Sequence, residues 1–274
     1  MSETPWWEAA YQHLRVERRV SSGRHVAVLT LDQPDKRNAM SDEMTASWGR
    51  AARLLADDPQ LAAVVITGAG SAFCSGGDLS WLAGEPDATV HDLRLKMLRF
   101  YRTWLAVPTL EVPTIAAING AAIGAGLAVA LACDLRFIAR TAKVGVPFTA
   151  LGLHPGMATT WSLPQVVGIA AARDLLLTGR LVGGEEAAQL GLASRAAAAE
   201  EVLPLALEAA DRIAAAAPIA TRLTLRALRD GGHASFEQAV EWEGLAQAVT
   251  MTTSDLQEGL QAAGERRAPQ FHGR

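Results

Sequence analysis

Between Thr114 and Cys133 the chain reads TIAAINGAAIGAGLAVALAC, a segment without a single charged side chain, broken at Asn119-Gly120 and again at Gly124 to Gly126. Its longest uninterrupted apolar and glycine stretch runs from Ala121 to Cys133, short of the roughly 18 residues that a membrane-spanning helix needs. A segment this apolar therefore belongs inside the protein. Its glycines divide it into a strand over 114–120, a small-residue turn and a helix over 124–134. A second wholly apolar run, LAAVVITGAG at 61–70, also ends in glycines and reads as a strand covered on both faces.

The remaining segments fit around these two. Apolar and β-branched residues alternate on either side of Ser21 to Arg24, which predicts a hairpin over 14–32. Ser41, followed by Asp42 and Glu43, is an N-cap for a helix over 41–58. A helix over 91–107 and strands at 135–140 and near 143–147 continue the alternation, which indicates an α/β fold of layered sheet and helix. Beyond the alanine-rich 196–199 the pattern turns helical, so the expected division is a core over 1–200 and a helical region over 201–274.

Composition narrows the function classes. A net charge of -4 with scattered Lys and Arg offers no attraction to nucleic acid or anionic lipid. MSETPWWEAAYQ has no apolar signal core, and the two cysteines, Cys74 and Cys133, sit in apolar surroundings; both point to buried thiols in a reducing cytoplasm. The six histidines are scattered without zinc-ligand spacing, so no metal is expected. GAGSAF at 68–73 has Phe73 where a dinucleotide loop has its third glycine, and no Gly-Lys-Ser/Thr phosphate loop exists. Ser75 lacks the glycine two places ahead that a nucleophile elbow requires.

What remains is a pair of glycine turns. AFCSGGDLS at 72–80 places Gly76-Gly77 after an apolar segment, and Gly124 to Gly126 opens a helix whose first N–H groups have no intrahelical acceptor. If the two turns lie side by side, two backbone N–H groups converge on one oxygen, which is an oxyanion hole.

With these stretches in order, together with LDQPDKRNAMS, LGLHPGM, LLLTGRLVGGEEAAQLGLASR and RRAPQFHGR, the sequence resembles the enoyl-CoA hydratase/isomerase family, the crotonase superfamily, over about residues 12–274. The resemblance implies a spiral of strand-strand-helix repeats and C-terminal helices that pack trimers, commonly paired into hexamers. It implies an acyl-CoA ligand, with coenzyme A as part of the substrate and no separate cofactor. The donor amides fall on Gly77 and Ala125. The binding set comprises Lys36, Arg37 and Ala39 along the CoA moiety, Ser75, Gly76, Asp78 and Leu79 around the first turn, and Ala128, Pro147, Phe148 and Gly156 at the acyl group. RRAPQF resembles the family's closing basic segment, which reaches the CoA of a neighbouring subunit, or is a solvated helix end.

The sequence departs from the family where its hydratases carry two glutamates: Ala128 and Phe148 stand there. Each positioned acid–base group typically contributes about 10²- to 10⁴-fold, so ordinary two-glutamate hydration is not expected. His154 is the substitute candidate, either as a base or as a hydrogen-bonding group that fixes the turn before Pro155-Gly156. Glu85, Asp87 and His91 lie in the family's lid segment or in an exposed loop, and Glu111 reads as a surface charge. Trp81 and Trp161 are placed near the acyl pocket, Trp104 in the core. Three readings stay open: an enzyme using the oxyanion hole without the glutamates, a non-catalytic acyl-CoA carrier or adaptor, and a purely structural partner protein.

Overall fold

The computed structural model describes residues 4–78, 87–106, 109–229 and 235–274. Strands β1 (Leu14–Ser21) and β2 (Arg24–Leu31) form the expected hairpin, antiparallel from Leu14 opposite Leu31 to Ser21 opposite Arg24. Ser22 and Gly23 both take positive φ, 48° and 73°, the pattern of a two-residue turn whose twist matches the flanking strands. Helix α1 (Asp42–Ala56) starts where Ser41 accepts a hydrogen bond from the Met44 amide.

Three turns of a spiral follow. The first has β3 (Leu61–Gly68), β4 (Ala72–Cys74) and α2 (Val90–Trp104). The second has β5 (Thr114–Ile118), β6 (Ala121–Ile123) and α3 (Ala125–Ala132). The third has β7 (Leu135–Ala139), β8 (Lys143–Gly145) and α4 (Thr159–Thr178). Strand β9 (Val182–Gly183), helix α5 (Gly184–Gln189) and strand β10 (Arg195–Ala197) complete the sheets. The first strand of each turn joins one six-stranded sheet, β1-β2-β3-β5-β7-β10, and the second joins a four-stranded sheet, β4-β6-β8-β9. This is the strand-strand-helix spiral that the resemblance implied.

Two side-chain amides, half-buried Asn119 and buried Asn38, hold the corner between the sheets. Asn119 Oδ1 accepts from the Gly68 amide at 3.1 Å and its Nδ2 donates to the Gly70 carbonyl at 3.0 Å. Asn38, fully buried, donates through Nδ2 to the carbonyls of Ala69 and Ala72 at 2.9 and 2.8 Å. Trp48 and Trp104 stack in the core with centroids 4.8 Å apart, and Trp104 Nε1 donates to Thr45.

Helix α6 (Ala199–Ala214) lays Val202, Ala206, Ala210 and Ala214, one face at four-residue spacing, into the core. Helices α7 (Pro218–Arg229), α8 (Phe236–Met251) and α9 (Ser254–Glu265) follow. Arg229 ties α7 to the sheet by donating to both carboxylate oxygens of Asp134 at 2.7 and 2.6 Å. Helix α8 leaves Phe236, Val240, Leu245, Val249 and Met251 exposed. Among the described residues no helix is long and apolar enough to cross a membrane.

Sequence reading passed over β4, β6 and α4. The two strands have three residues each, too few for alternation to register. Helix α4 carries Pro164 and a non-helical Gly168 at φ 77°, which break its periodic signal.

Candidate active site

Strand β4 delivers Ser75, Gly76 and Gly77 to the start of α3. Gly76 takes φ 103°, and a β-carbon there would lie 2.8 Å from the Ile123 carbonyl oxygen and 3.6 Å from the Ala125 nitrogen. The two glycine turns are therefore in contact, and the first passes directly beside the first amide of the helix. Gly124, at φ 56°, precedes that helix, and its own amide is taken by Gly145 O at 2.8 Å. Ala125 occupies the first helical position, where no intrahelical acceptor exists.

The other side of the first turn is zipped to residues 37–40. Ser75 N donates to Arg37 O at 3.0 Å, Met40 N donates to Gly76 O at 2.9 Å, and Gly77 lies opposite Met40 in a parallel bridge. In a parallel pair the bonds run to the residues flanking the opposed one, so the Gly77 amide stays off this ladder. The same pairing sets Lys36 and Arg37, both exposed, and half-buried Ala39 alongside the turn.

Both turns line a cavity of about 150 Å³, with Met97, Phe100 and Tyr101 of α2 on one side and Ile123, Pro147, Phe148, Leu151 and Leu153 on others. Gly156, Met157 and His154 complete it. The Phe148 ring lies over the helix start, where a β-carbon on Gly124 would meet it at 3.5 Å. The lining is mostly apolar, and among its described residues none is a carboxylate.

His154 is exposed, and its Nδ1 lies 2.8 Å from the Pro155 carbonyl oxygen. A carbonyl only accepts, so Nδ1 carries the proton, and in the neutral ring the lone pair is on Nε2. The turn-fixing bond and a free basic nitrogen thus coexist in one ring. Burial raises the Tyr101 phenol above its ordinary value, with the Met157 backbone amide beside it working the other way.

The expected residues do not all meet here. Ser75, Gly76, Gly77, Ala125, Pro147, Phe148, His154 and Gly156 line the cavity. Ala128, one helical turn beyond Ala125, is buried in the core rather than on the lining. Asp78 is half-buried, and Asp87, His91 and Glu111 are exposed. Leu79, Trp81 and Glu85 lie outside the described residues. The placement of Trp161 at the acyl pocket is corrected: it is 64 % exposed and absent from the lining, because at the start of α4 the buried positions are Thr159 and Leu163 and residue 161 falls on the opposite side. Cys74 and Cys133 are buried free thiols pushed up to about 12 by desolvation.

Tyr101, Phe100, Met97 and Met157 are cavity residues that sequence reasoning missed. The first three were within reach of it. With Trp104 they form a 97, 100, 101, 104 stripe on a predicted helix, which marks a face turned inward.

The Enoyl-CoA hydratase/isomerase family profile matches residues 21–274. A probable enoyl-CoA hydratase of Mycobacterium tuberculosis, EchA14, is 43% identical over 223 residues, 80% of this chain and 85% of its own length. The (E)-benzylidenesuccinyl-CoA hydratase of Thauera aromatica is 36% identical over 250 residues, 91% of this chain and 96% of its own. The crystal structure of enoyl-CoA hydratase from Bacillus anthracis superposes with a TM-score of 0.89 at 31% identity, covering 96% of this chain and all of that one. Fold, paired glycine turns and matched length agree: the chain belongs to the enoyl-CoA hydratase/isomerase family.

Proposed function

We propose that the protein binds an acyl-CoA thioester and stabilises its enolate between the amides of Gly77 and Ala125, as an enzyme that moves protons along the acyl chain without the two hydratase glutamates. The observation that carries this reading is the contact of the two turns, with the Gly76 β-position 3.6 Å from Ala125 N. As a proton leaves the α-carbon, the thioester oxygen gains negative charge. Two preorganised donors at the positive end of a helix hold that charge, and removing one such donor typically costs about 3 to 4 kcal/mol.

Isomerisation suits this cavity better than hydration. Ala128 and Phe148 supply no carboxylate to position a water, and the Phe148 ring fills space beside the helix start. His154, with Nε2 unprotonated, is the base. The CoA moiety runs along residues 36–39, with Lys36 or Arg37 at its phosphates; both are exposed cations next to the donor turn. The apolar face of α8 is covered by a second copy in a homotrimer or a dimer of trimers, and the buried thiols suit the cytoplasm.

The test uses trans-3-hexenoyl-CoA and crotonyl-CoA, with binding followed by calorimetry and the conjugated thioester by its absorbance. The expected result is binding of both and conversion of the 3-enoyl thioester. Gly77→Pro, which removes one donor, lowers kcat by about 10²- to 10³-fold. Tight binding with no conversion establishes the carrier reading instead. Full activity of a folded Gly77→Pro variant overturns the donor assignment.

A further inference from the structure

One polar group in the cavity has no place in the reading above. Tyr101 reaches in from α2, and its hydroxyl lies against Gly156 so closely that a β-carbon on Gly156 would be 2.5 Å from the Oη atom and 3.1 Å from the ring carbon bearing it. Only a glycine leaves that hydroxyl its position. The turn that Gly156 belongs to is itself unusual: Met157 and Ala158 are consecutive non-glycine residues with φ near 54° and 57°. A bend of this kind persists only where its surroundings hold it.

That one turn orients two cavity groups in opposite senses. Pro155 offers a carbonyl, which takes the Nδ1 proton of His154 and leaves Nε2 as an acceptor. Met157 offers a backbone amide, which faces the phenol oxygen of Tyr101. The hydroxyl of Tyr101 lies against Gly156, the residue between Pro155 and Met157, and both His154 and Tyr101 line the cavity. The turn thus holds the imidazole through the Pro155 carbonyl and seats the phenol against the bare Gly156 backbone.

The geometry points to Tyr101 as the proton donor that works with His154 in the acyl cavity, the two replacing the carboxylates that this chain lacks. This rests on the enolate reading of the site. For a 3-enoyl thioester, Nε2 of His154 takes a proton from Cα. The C–H electron pair forms the Cα–carbonyl carbon double bond of a dienolate, and the carbonyl electrons move onto the oxygen held by Gly77 and Ala125. The oxygen's electrons then return, a Cα–Cβ double bond forms, and the former Cβ–Cγ π pair takes the Tyr101 proton at Cγ. The phenolate recovers a proton from the imidazolium through solvent. The substrate has gained and lost one proton, no water is consumed, and both side chains are restored. Burial, which raises the phenol, keeps it protonated and able to donate at neutral pH.

The experiment uses trans-3-hexenoyl-CoA deuterated at Cα, with the native protein, Tyr101→Phe, Gly156→Ala and the double variant. Expected for the native protein is a conjugated product whose new Cγ hydrogen comes from solvent, since the base and the acid are different groups. Tyr101→Phe, which keeps the ring, lowers kcat about 10²-fold or more with calorimetric affinity within about twofold. Gly156→Ala displaces the same hydroxyl, so the double variant is no slower than the slower single one, as groups that act together require. Deuterium carried from Cα to Cγ in the native reaction, or full kcat in Tyr101→Phe, overturns the Tyr101 assignment and leaves the enolate reading standing. A native protein that binds the thioester without converting it overturns the pair together with the enzyme reading. Failure to bind any CoA thioester overturns the site itself.

Discussion

Gly126 and Cys74 touch backbone to backbone: a β-carbon on Gly126 would stand 2.2 Å from the Cys74 carbonyl oxygen and 2.8 Å from its carbon. This contact lets helix α3 settle onto strand β4 and brings the Ala125 amide to the Gly76-Gly77 turn. Gly126→Ala therefore forces the helix away from the strand. Overpacking of this kind costs about 1–3 kcal/mol, and a donor displaced by about 1 Å costs about 10²-fold in rate. Thermal unfolding together with kcat for a 3-enoyl thioester checks it. A variant with native stability and native rate would show that the contact does not position the donor.

Phe148 marks the other departure from the family's glutamate pair. Phe148→Glu removes the ring from Gly124 and supplies a carboxylate to a cavity that has none among its described lining residues. Loss of conjugated absorbance from crotonyl-CoA is expected to rise by at least about 10-fold, less than the roughly 10²- to 10⁴-fold of a fully positioned acid–base group because the new side chain has no partner that orients it. Stability falls by about 1–3 kcal/mol from the lost aromatic packing. An unchanged hydration rate in a folded variant would mean that the position does not face the acyl group.

The two cysteines give a pH test. Desolvation pushes both thiols up to about 12, so at pH 8 only about one in 10⁴ of either is thiolate, and the thiolate is the reactive form. A thiol-specific chromogenic reagent at pH 8 is expected to label neither cysteine in the native protein and both in denaturant. Raising the pH toward 12 increases the native rate, because the folded-state value is raised and the reactive form appears only as pH climbs through it. Prompt labelling at pH 8 would show that one of them is open to solvent.

Arg229 and Asp134 connect the C-terminal helices to the sheet, with their side chains 19% and 18% exposed. Arg229→Ala leaves the Asp134 carboxylate with the Thr114 amide and hydroxyl, at 2.7 Å each, but without its cation. Removing one partner of a mostly buried pair is expected to cost about 3 kcal/mol, read by urea unfolding. The double replacement Arg229→Met with Asp134→Leu recovers part of the loss. A native unfolding midpoint in Arg229→Ala would show that the pair contributes nothing measurable.

The strands and helices most legible in the sequence are those whose burial is complete or whose periodicity is long. Strand β3 is apolar on both faces, and α1 announces itself with Ser41 and its acidic first turn. The paired glycine turns were legible for a different reason: their geometry excludes other residues, so the sequence has to display it. The 97, 100, 101, 104 stripe made Tyr101 legible as an inward-facing residue, but not as one with a chemical role. Its partners, Gly156 and the Met157 amide, are over fifty positions away, and nothing local distinguishes it from the core aromatics Phe100 and Trp104 beside it. Trp161 misled because closeness in the chain to a motif does not fix which side of a helix a residue faces.

Asn38 binds the carbonyls of Ala69, Ala72 and Phe73 while its own Oδ1 takes the Gln33 amide. One side chain thereby clamps the 33–39 segment to the strand that carries Gly76 and Gly77. Any drift in that segment is transmitted straight to the donor turn, so evolution is not free to retune the seat proposed for the nucleotide end independently of the catalytic amides. New acyl preferences are far easier to acquire on the opposite wall, from α2 and the Phe148 to Leu153 stretch, which this clamp does not hold.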